Sequence, residues 1–238
     1  MKPEGRKERS ASSSVPVPVS VVIPAASGEC GLVRLLSSLE RLPFGSEVTV
    51  ASPRVSPVPE SLRWSFPRVA FLEAEDGRAR CLNAGARASR GEYLWFLHAD
   101  TVPTADVYPA LLRALARNAE ELAYFDLRFL DDGPPLMKLS EWGARFRCRV
   151  FGLPFGDQGF LLKRTTFFEA GGFPEDPAYG EDNLLVWKLK RRGVPIRRAG
   201  ASLYTSARSY WNLGWWRTVC LYQRRWIGQA LASMRSEG

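Results

Sequence analysis

Histidine is almost missing: His98 stands alone in 238 residues, and the four cysteines, Cys30, Cys81, Cys148 and Cys220, form no CxxC pair. A zinc finger and a zinc enzyme built on several histidines are thereby excluded. Widely spread cysteines of this kind are expected as reduced thiols in a cytosolic protein. Long apolar runs are lacking too, since those at 15–26 and 93–97 fall well short of the roughly 20 residues that span a bilayer. The N-terminal stretch MKPEGRKERSASSS has no apolar signal core, so a cytoplasmic location is expected. Acids are in deficit, with Asp and Glu numbering 25 against 33 Lys and Arg, and the formal charge of +8 favours anionic partners without choosing among them. The remaining composition, 45% hydrophobic and 24% charged, is ordinary for a globular chain and excludes fibrous, collagen-like and wholly disordered classes. A chain of this length can bury a sizeable core.

The pattern along the chain alternates strands with helices. Residues 1–18 are polar, basic and then proline-interrupted, and read as a flexible tail. Val19-Ser20-Val21-Val22-Ile23 is a β-branched run ended by Pro24, as a buried parallel strand would be. A helix is expected over 28–41, strands over 47–51 and 68–72, a helix over 77–89 and a strand over 92–97. A helix over 103–118 with Thr104 as its cap follows, then a strand over 123–130, a turn at 131–135 and a basic helix over 136–150. Residues 156–162 read as a strand, 165–170 as a short helix, 180–192 as a helix and 196–201 as a last strand. A C-terminal amphipathic helix is expected over 210–234. This order means βαβ units and an α/β fold around a mainly parallel sheet, with ligands beyond the carboxyl ends of its strands. His98-Ala99-Asp100-Thr101 lies at that edge.

The strings Gly77-Arg78-Ala79-Arg80-Cys81-Leu82-Asn83-Ala84-Gly85 and Gly91-Glu92-Tyr93-Leu94-Trp95-Phe96-Leu97-His98-Ala99-Asp100-Thr101 resemble family 2 glycosyltransferases. Within that family they resemble the subgroup associated with radical-SAM/selenodomain proteins. Phe155-Gly156-Asp157-Gln158-Gly159, Gly171-Gly172-Phe173-Pro174 and Gly180-Glu181-Asp182 continue the resemblance in order, from about Val19 to Tyr222. It implies a GT-A-like, Rossmann-like sheet, with a nucleotide-sugar-binding half over 19–101 and an acceptor-binding half over 102–209. It also implies a metal-dependent, inverting transfer of sugar from a nucleoside-diphosphate sugar.

The resemblance distributes the chemistry as follows. Asp100 and His98 stand where the family's D-x-D motif holds a divalent cation, Mn2+ or Mg2+, that neutralises the leaving diphosphate. Asp182, with Glu181 beside it, is the base for the acceptor hydroxyl. Donor contacts are expected from Pro24, Ser52, Arg78, Arg80, Asn83 and Asp100, and acceptor contacts from Gly156, Asp157 and Gln158. Gly85 is read as a packing residue. Two positions depart from the family: Pro24-Ala25-Ala26-Ser27-Gly28-Glu29 lacks its Asn-Glu pair, and Ser52-Pro53-Arg54 has no base-reading Asp.

Plain structural roles stay open for the same residues. His98 could be a core histidine, Asp100 a turn residue, Arg78 and Arg80 a solvated basic face, and Glu181-Asp182 acids favoured at a helix start. Two other functions also stay open. One is a GT-A-like nucleotidyltransferase, although the loop after the first strand has only Gly28 and Gly31. The other is a non-catalytic membrane- or nucleic-acid-binding protein on a degenerate transferase scaffold. The basic, aromatic segment 210–234 motivates the latter: it could lie on the inner membrane face near a lipid-linked acceptor, or cover the sheet. Nothing in the sequence has the spacing of a sequence-specific DNA reader.

Overall fold

Val19–Pro24 is buried along almost its whole length and forms β1, the strand on which the sheet is built. In the computed structural model, residues 19–42, 45–175, 180–208, 210–211, 214–221, 224 and 228 are described. The 1–18 tail and most of the expected 210–234 helix lie outside the described residues; 210–211 and 215–221 are helical.

The strands after β1 are β2 (Glu47–Pro53), β3 (Val69–Ala74), β4 (Tyr93–Phe96), β5 (Val102–Pro103), β6 (Leu122–Phe129), β7 (Phe160–Lys163) and β8 (Ile196–Thr205). The helices are α1 (Leu32–Ser38), α2 (Glu60–Ser65), α3 (Arg78–Ala88), α4 (Val107–Arg117), α5 (Met137–Phe151), α6 (Arg164–Glu169) and α7 (Glu181–Arg191). They surround one sheet of order β3-β2-β1-β4-β7-β6-β8-β5. β1 to β4 are mutually parallel; β7 runs against both β4 and β6, and β5 against β8. Strand order reverses between β1 and β4, which opens a crevice at their carboxyl ends.

Period-two alternation decides which residues meet which helices. Val19, Val21 and Ile23 point with Trp95 to one face and pack with Leu32, Leu35 and Leu111 of α1 and α4. Val22, Leu94 and Phe96 point to the other, against Ala79, Leu82 and Ala86 of α3 and Leu185, Val186 and Leu189 of α7. The β-branched run of β1 is thus covered on both sides, as a central parallel strand requires. α3 sits so close to β1 that a Cβ on Gly85 would lie 2.5 Å from Val22 Cγ1. Phe96, Phe167 and Phe173 form an aromatic knot, with ring centroids 4.9 and 5.0 Å from Phe96, that ties the Gly171-Gly172-Phe173-Pro174 turn to β4.

Several boundaries differ from the sequence expectation for identifiable reasons. α1 starts at Leu32 because Gly28 takes φ 84° in a turn, and Gly31 presses its backbone against that of Asp100. Thr104 does not cap α4: its hydroxyl donates to Ser202 O at 2.7 Å, while Val102 and Pro103 pair with β8. Gly156–Gln158 is a single 3-10 turn, not strand, because Gln158 Oε1 folds back to accept the Phe155 N–H at 3.0 Å. β8 continues past residue 201 to Thr205, sustained by parallel pairing with β6. α2, which sequence periodicity did not indicate, is a short exposed helix after Pro59.

Candidate active site

The crevice at the end of β4 collects side chains from four separate elements. The chain leaves β4 in a tight turn, with Thr101 N donating to His98 O at 3.1 Å and His98 N to Thr101 Oγ1 at 3.1 Å. That turn aims the imidazole back across the crevice. Its Nδ1 lies 2.5 Å from Asp157 Oδ1, and its Nε2 meets Arg78 Nη2. A guanidinium has only donors, so Nε2 must be the acceptor and the ring proton sits on Nδ1, donated to Asp157. Burial alone would push the Asp157 carboxyl up, but the facing His98 ring, which donates to it, and the Arg78 guanidinium outweigh it and hold it down at about 2.

Arg78, at the first position of α3, extends the line. Its Nη1 lies 3.4 Å from Glu181 Oε1, an oxygen that is buried with no hydrogen bond among the described residues. Glu181 and Asp182 open α7 after Gly180, which takes the left-handed φ of 69°. Two acids in a first helical turn are favoured by the N-terminal dipole. Asp182 Oδ2 accepts the Gly156 N–H at 2.6 Å, and Oδ1 accepts the Asn183 N–H at 2.8 Å. A Cβ placed on Gly156 would stand 3.1 Å from Arg78 Nη2, from Asp182 Oδ2 and from His98 Nε2 alike. Glycine at 156 is what lets a guanidinium, an imidazole and a carboxylate share one small space.

Arg147 lies beneath this cluster, on the inward face of α5. Its Nη2 donates to Asn183 Oδ1 at 2.5 Å, and its guanidinium carbon lies 3.6 Å from the centroid of the Phe155 ring. Burial pulls its pKa down to about 10, against the opposing pull of the Asp182 carboxylate. Sequence reasoning missed Arg147 and Asn183. Asn183 adjoins the quoted Glu-Asp pair; Arg147 is one of three alternating arginines, and no local signal marks it as the inward one.

Several expected contacts are corrected by the geometry. Gln158 is 2% exposed, with Nε2 donating to Phe125 O at 2.9 Å and Oε1 accepting from Phe155 N, so it holds the loop from inside and does not face an acceptor. Asn83 is buried, and its amide is engaged with Phe173 O, Phe173 N and Glu175 Oε1, so it pins the Gly-Gly-Phe-Pro turn and does not reach a donor. Ser52 is buried, with its hydroxyl toward Leu72 O at 3.4 Å. Arg80 turns back onto Glu75, because residues two apart on a helix point to different sides. Pro24 ends β1 and is half-buried. Arg78, His98, Gly156, Asp157, Glu181 and Asp182 are brought together.

The expected His98–Asp100 metal pair does not fit. Both His98 nitrogens are engaged, one by a guanidinium that a cation would have to displace. Asp100 Oδ2 instead accepts from Thr205 Oγ1 at 3.0 Å and Ser206 N at 3.2 Å, fastening the end of β8 to the β4 turn. Among the described residues no three His, Cys, Asp or Glu side chains are grouped to hold a metal.

Comparison with known proteins agrees with this architecture. Residues 60–173, just under half of the chain, match the family model described as Glycosyl transferase family 2. No curated protein matches the chain significantly. A crystal structure of S. aureus TarS 1-349 is similar at 15% identity and TM-score 0.57, over 79% of this chain and 60% of that one. A second S. aureus TarS structure is similar at 14% identity and TM-score 0.59, over 79% of this chain and 36% of that one. The chain therefore spans less than two thirds of either structure. The likeness shows the fold: an α/β, GT-A-like domain with a mostly parallel central sheet flanked by helices.

Proposed function

We propose that this GT-A-like chain, matched over residues 60–173 by the family 2 model, is an inverting glycosyltransferase that takes its sugar from a nucleoside-diphosphate sugar. The observation that carries the reading is the convergence on Gly156 of Arg78 Nη2, a donor for developing phosphate charge, and Asp182 Oδ2, an acceptor for a hydroxyl proton. The acceptor oxygen attacks the anomeric carbon from the face opposite the diphosphate. The bond from that carbon to the phosphate oxygen breaks, the bonding pair leaves with the diphosphate, and the hydroxyl proton passes to Asp182.

Arg78 meets the charge on the leaving diphosphate as it grows. Charge that appears only in the transition state is where preorganised donors lower a barrier most. His98, oriented by Asp157, and Glu181 hold the guanidinium from two sides, so it need not reorganise when the donor arrives. Arg147 and Asn183 hold the start of α7 and with it the base. The groups of this chain that carry the step are Arg78 and Asp182; the His98–Asp100 pair supports the crevice.

Titration calorimetry with a panel of nucleoside diphosphates and their sugars, run with manganese and with a chelator, tests the reading. A nucleoside diphosphate is expected to bind through Arg78, with affinity lost in Arg78→Ala. Undiminished affinity in that variant rejects the assignment. Release of pyrophosphate from a nucleoside triphosphate and a sugar phosphate would replace glycosyl transfer with nucleotidyl transfer.

A further inference from the structure

Helix α5 is built inside out on its solvent side. Leu139, Trp142, Phe146 and Val150 are 50, 60, 49 and 56% exposed. At 100° per residue they fall within an arc of about 80°, one continuous ridge. Trp142 and Phe146 stack nearly parallel, with centroids 5.5 Å apart and planes 19° apart, and present a flat aromatic surface outward. Lone exposed apolar residues are normal, but a contiguous ridge marks a surface that meets something.

The charges beside the ridge indicate what it meets. Lys138, Arg145 and Arg149 are spaced at seven and eleven residues, whole turns of the helix, so all three line one flank. The only acid in α5, Glu141, neighbours this row in the helix but is buried, with its carboxylate turned inward to accept from Arg128 Nη1 at 2.7 Å and Phe129 N at 2.9 Å. No acid of the helix lies outward to balance the cations. A second copy meeting this face by twofold symmetry would bring two cationic rows together, which is unfavourable. An anionic surface with an apolar interior satisfies both the row and the ridge.

We propose that the outward face of α5 docks the protein on an anionic lipid surface, with Trp142 and Phe146 in the headgroup layer and Lys138, Arg145 and Arg149 on lipid phosphates. Aromatic rings are at home in that layer, and juxtaposed Lys and Arg side chains are drawn to its negative potential. The described C-terminal segment meets α5 away from the ridge: Trp215 Nε1 donates to Ser140 Oγ at 2.9 Å, and its neighbour Trp216 is 69% exposed. The same helix carries Arg147 of the site among its buried residues. The docking needs no donor or acceptor and stands apart from the transfer reading. It also differs from the sequence expectation, which left membrane contact through 210–234 as one of two open readings.

The full chain is sedimented with vesicles of phosphatidylcholine alone and of phosphatidylcholine mixed with phosphatidylglycerol, at low and high salt. Binding is expected only to the mixed vesicles and weaker at high salt. Trp142→Ser with Phe146→Ser, and separately Lys138→Glu with Arg149→Glu, are each expected to lower the partition coefficient about tenfold or more. These positions are exposed, and unchanged circular dichroism and thermal midpoint check that the variants are folded. Failure of the parent chain to sediment with mixed vesicles overturns the proposal. So does parent-like binding of both double variants, loss of binding on Trp216→Ser with Arg217→Glu alone, or conversion of a dimer to monomer by Trp142→Ser with Phe146→Ser.

Discussion

Gly156 donates its backbone N–H to Asp182 Oδ2 at 2.6 Å, across 26 positions of sequence. This bond joins the turn before β7 to the first turn of α7 and puts the carboxylate where Arg78 and His98 also point. A residue without a side chain is the hub of the site.

Gly156→Ala therefore inserts a methyl group 3.1 Å from three polar atoms, each of which has to give by a few tenths of an ångström. Nucleoside-diphosphate affinity is expected to fall at least about tenfold. The thermal midpoint should move by no more than about 2–4 °C, the shift that about 1 kcal/mol produces in a chain of this size. Unaltered affinity measured by calorimetry would show that the three groups do not act on a common ligand.

Asp182→Asn keeps the acceptor oxygen for Gly156 but cannot take a proton. Donor binding is expected to persist while turnover falls roughly 10²–10⁴-fold, the usual worth of a general base. Single-turnover kinetics with saturating donor checks this, and parent-like turnover removes Asp182 from the role.

Asp157 links the site to acid stability. Its carboxyl is held at about 2 in the folded chain, below the roughly 3.9 of an unfolded aspartate. Between those values the unfolded chain binds more protons than the folded one, so stability falls as pH drops from about 4 to about 2. Above about 4 the contribution is fully present. Urea midpoints of the parent and of Asp157→Asn should converge on acidification through that window; a constant gap would contradict the coupling to His98 and Arg78.

Asp100 is expected to matter to folding without any metal. Asp100→Ala leaves the Thr205 hydroxyl and the Ser206 N–H without their acceptor. A loss of about 1–3 kcal/mol follows from such orphaned donors. Thermal melts in the presence of chelator measure it. An Asp100→Ala chain as stable as the parent in chelator, and less stable only when manganese is present, would restore Asp100 as a ligand.

Gly85→Ala tests the packing role apart from chemistry. The added Cβ would lie 2.5 Å from Val22 Cγ1, too close for either element to keep its place. Overpacking of this kind costs about 1–3 kcal/mol. Denaturant unfolding should show that loss, with nucleoside-diphosphate affinity retained by the remaining folded fraction.

The sequence alone determined the alternation of strands and helices, because hydrophobic period and glycine–proline punctuation are local properties. β1, β2, β4, α3, α5 and α7 could all be read that way, as could the place of the crevice at the end of β4. Its motifs also named Arg78, Glu181, Asp182, Gly156, Asp157 and His98 as candidates, together with Pro24, Ser52, Arg80, Asn83, Asp100 and Gln158, but in separate donor, acceptor, metal and base roles; only the tertiary structure draws the first six together. What those side chains do was decided by tertiary contacts between residues far apart in sequence. His98 and Asp100 are two positions apart, yet one turns to Asp157 and Arg78 and the other to Thr205, because the turn after β4 points them at different strands. Asn83, Ser52 and Gln158 are polar by composition but buried by packing, and a buried amide or hydroxyl must find its partners inside. Arg147 is chosen over Arg145 and Arg149 only by the rotation of α5 against the sheet, and that same rotation turns Trp142 and Phe146 outward.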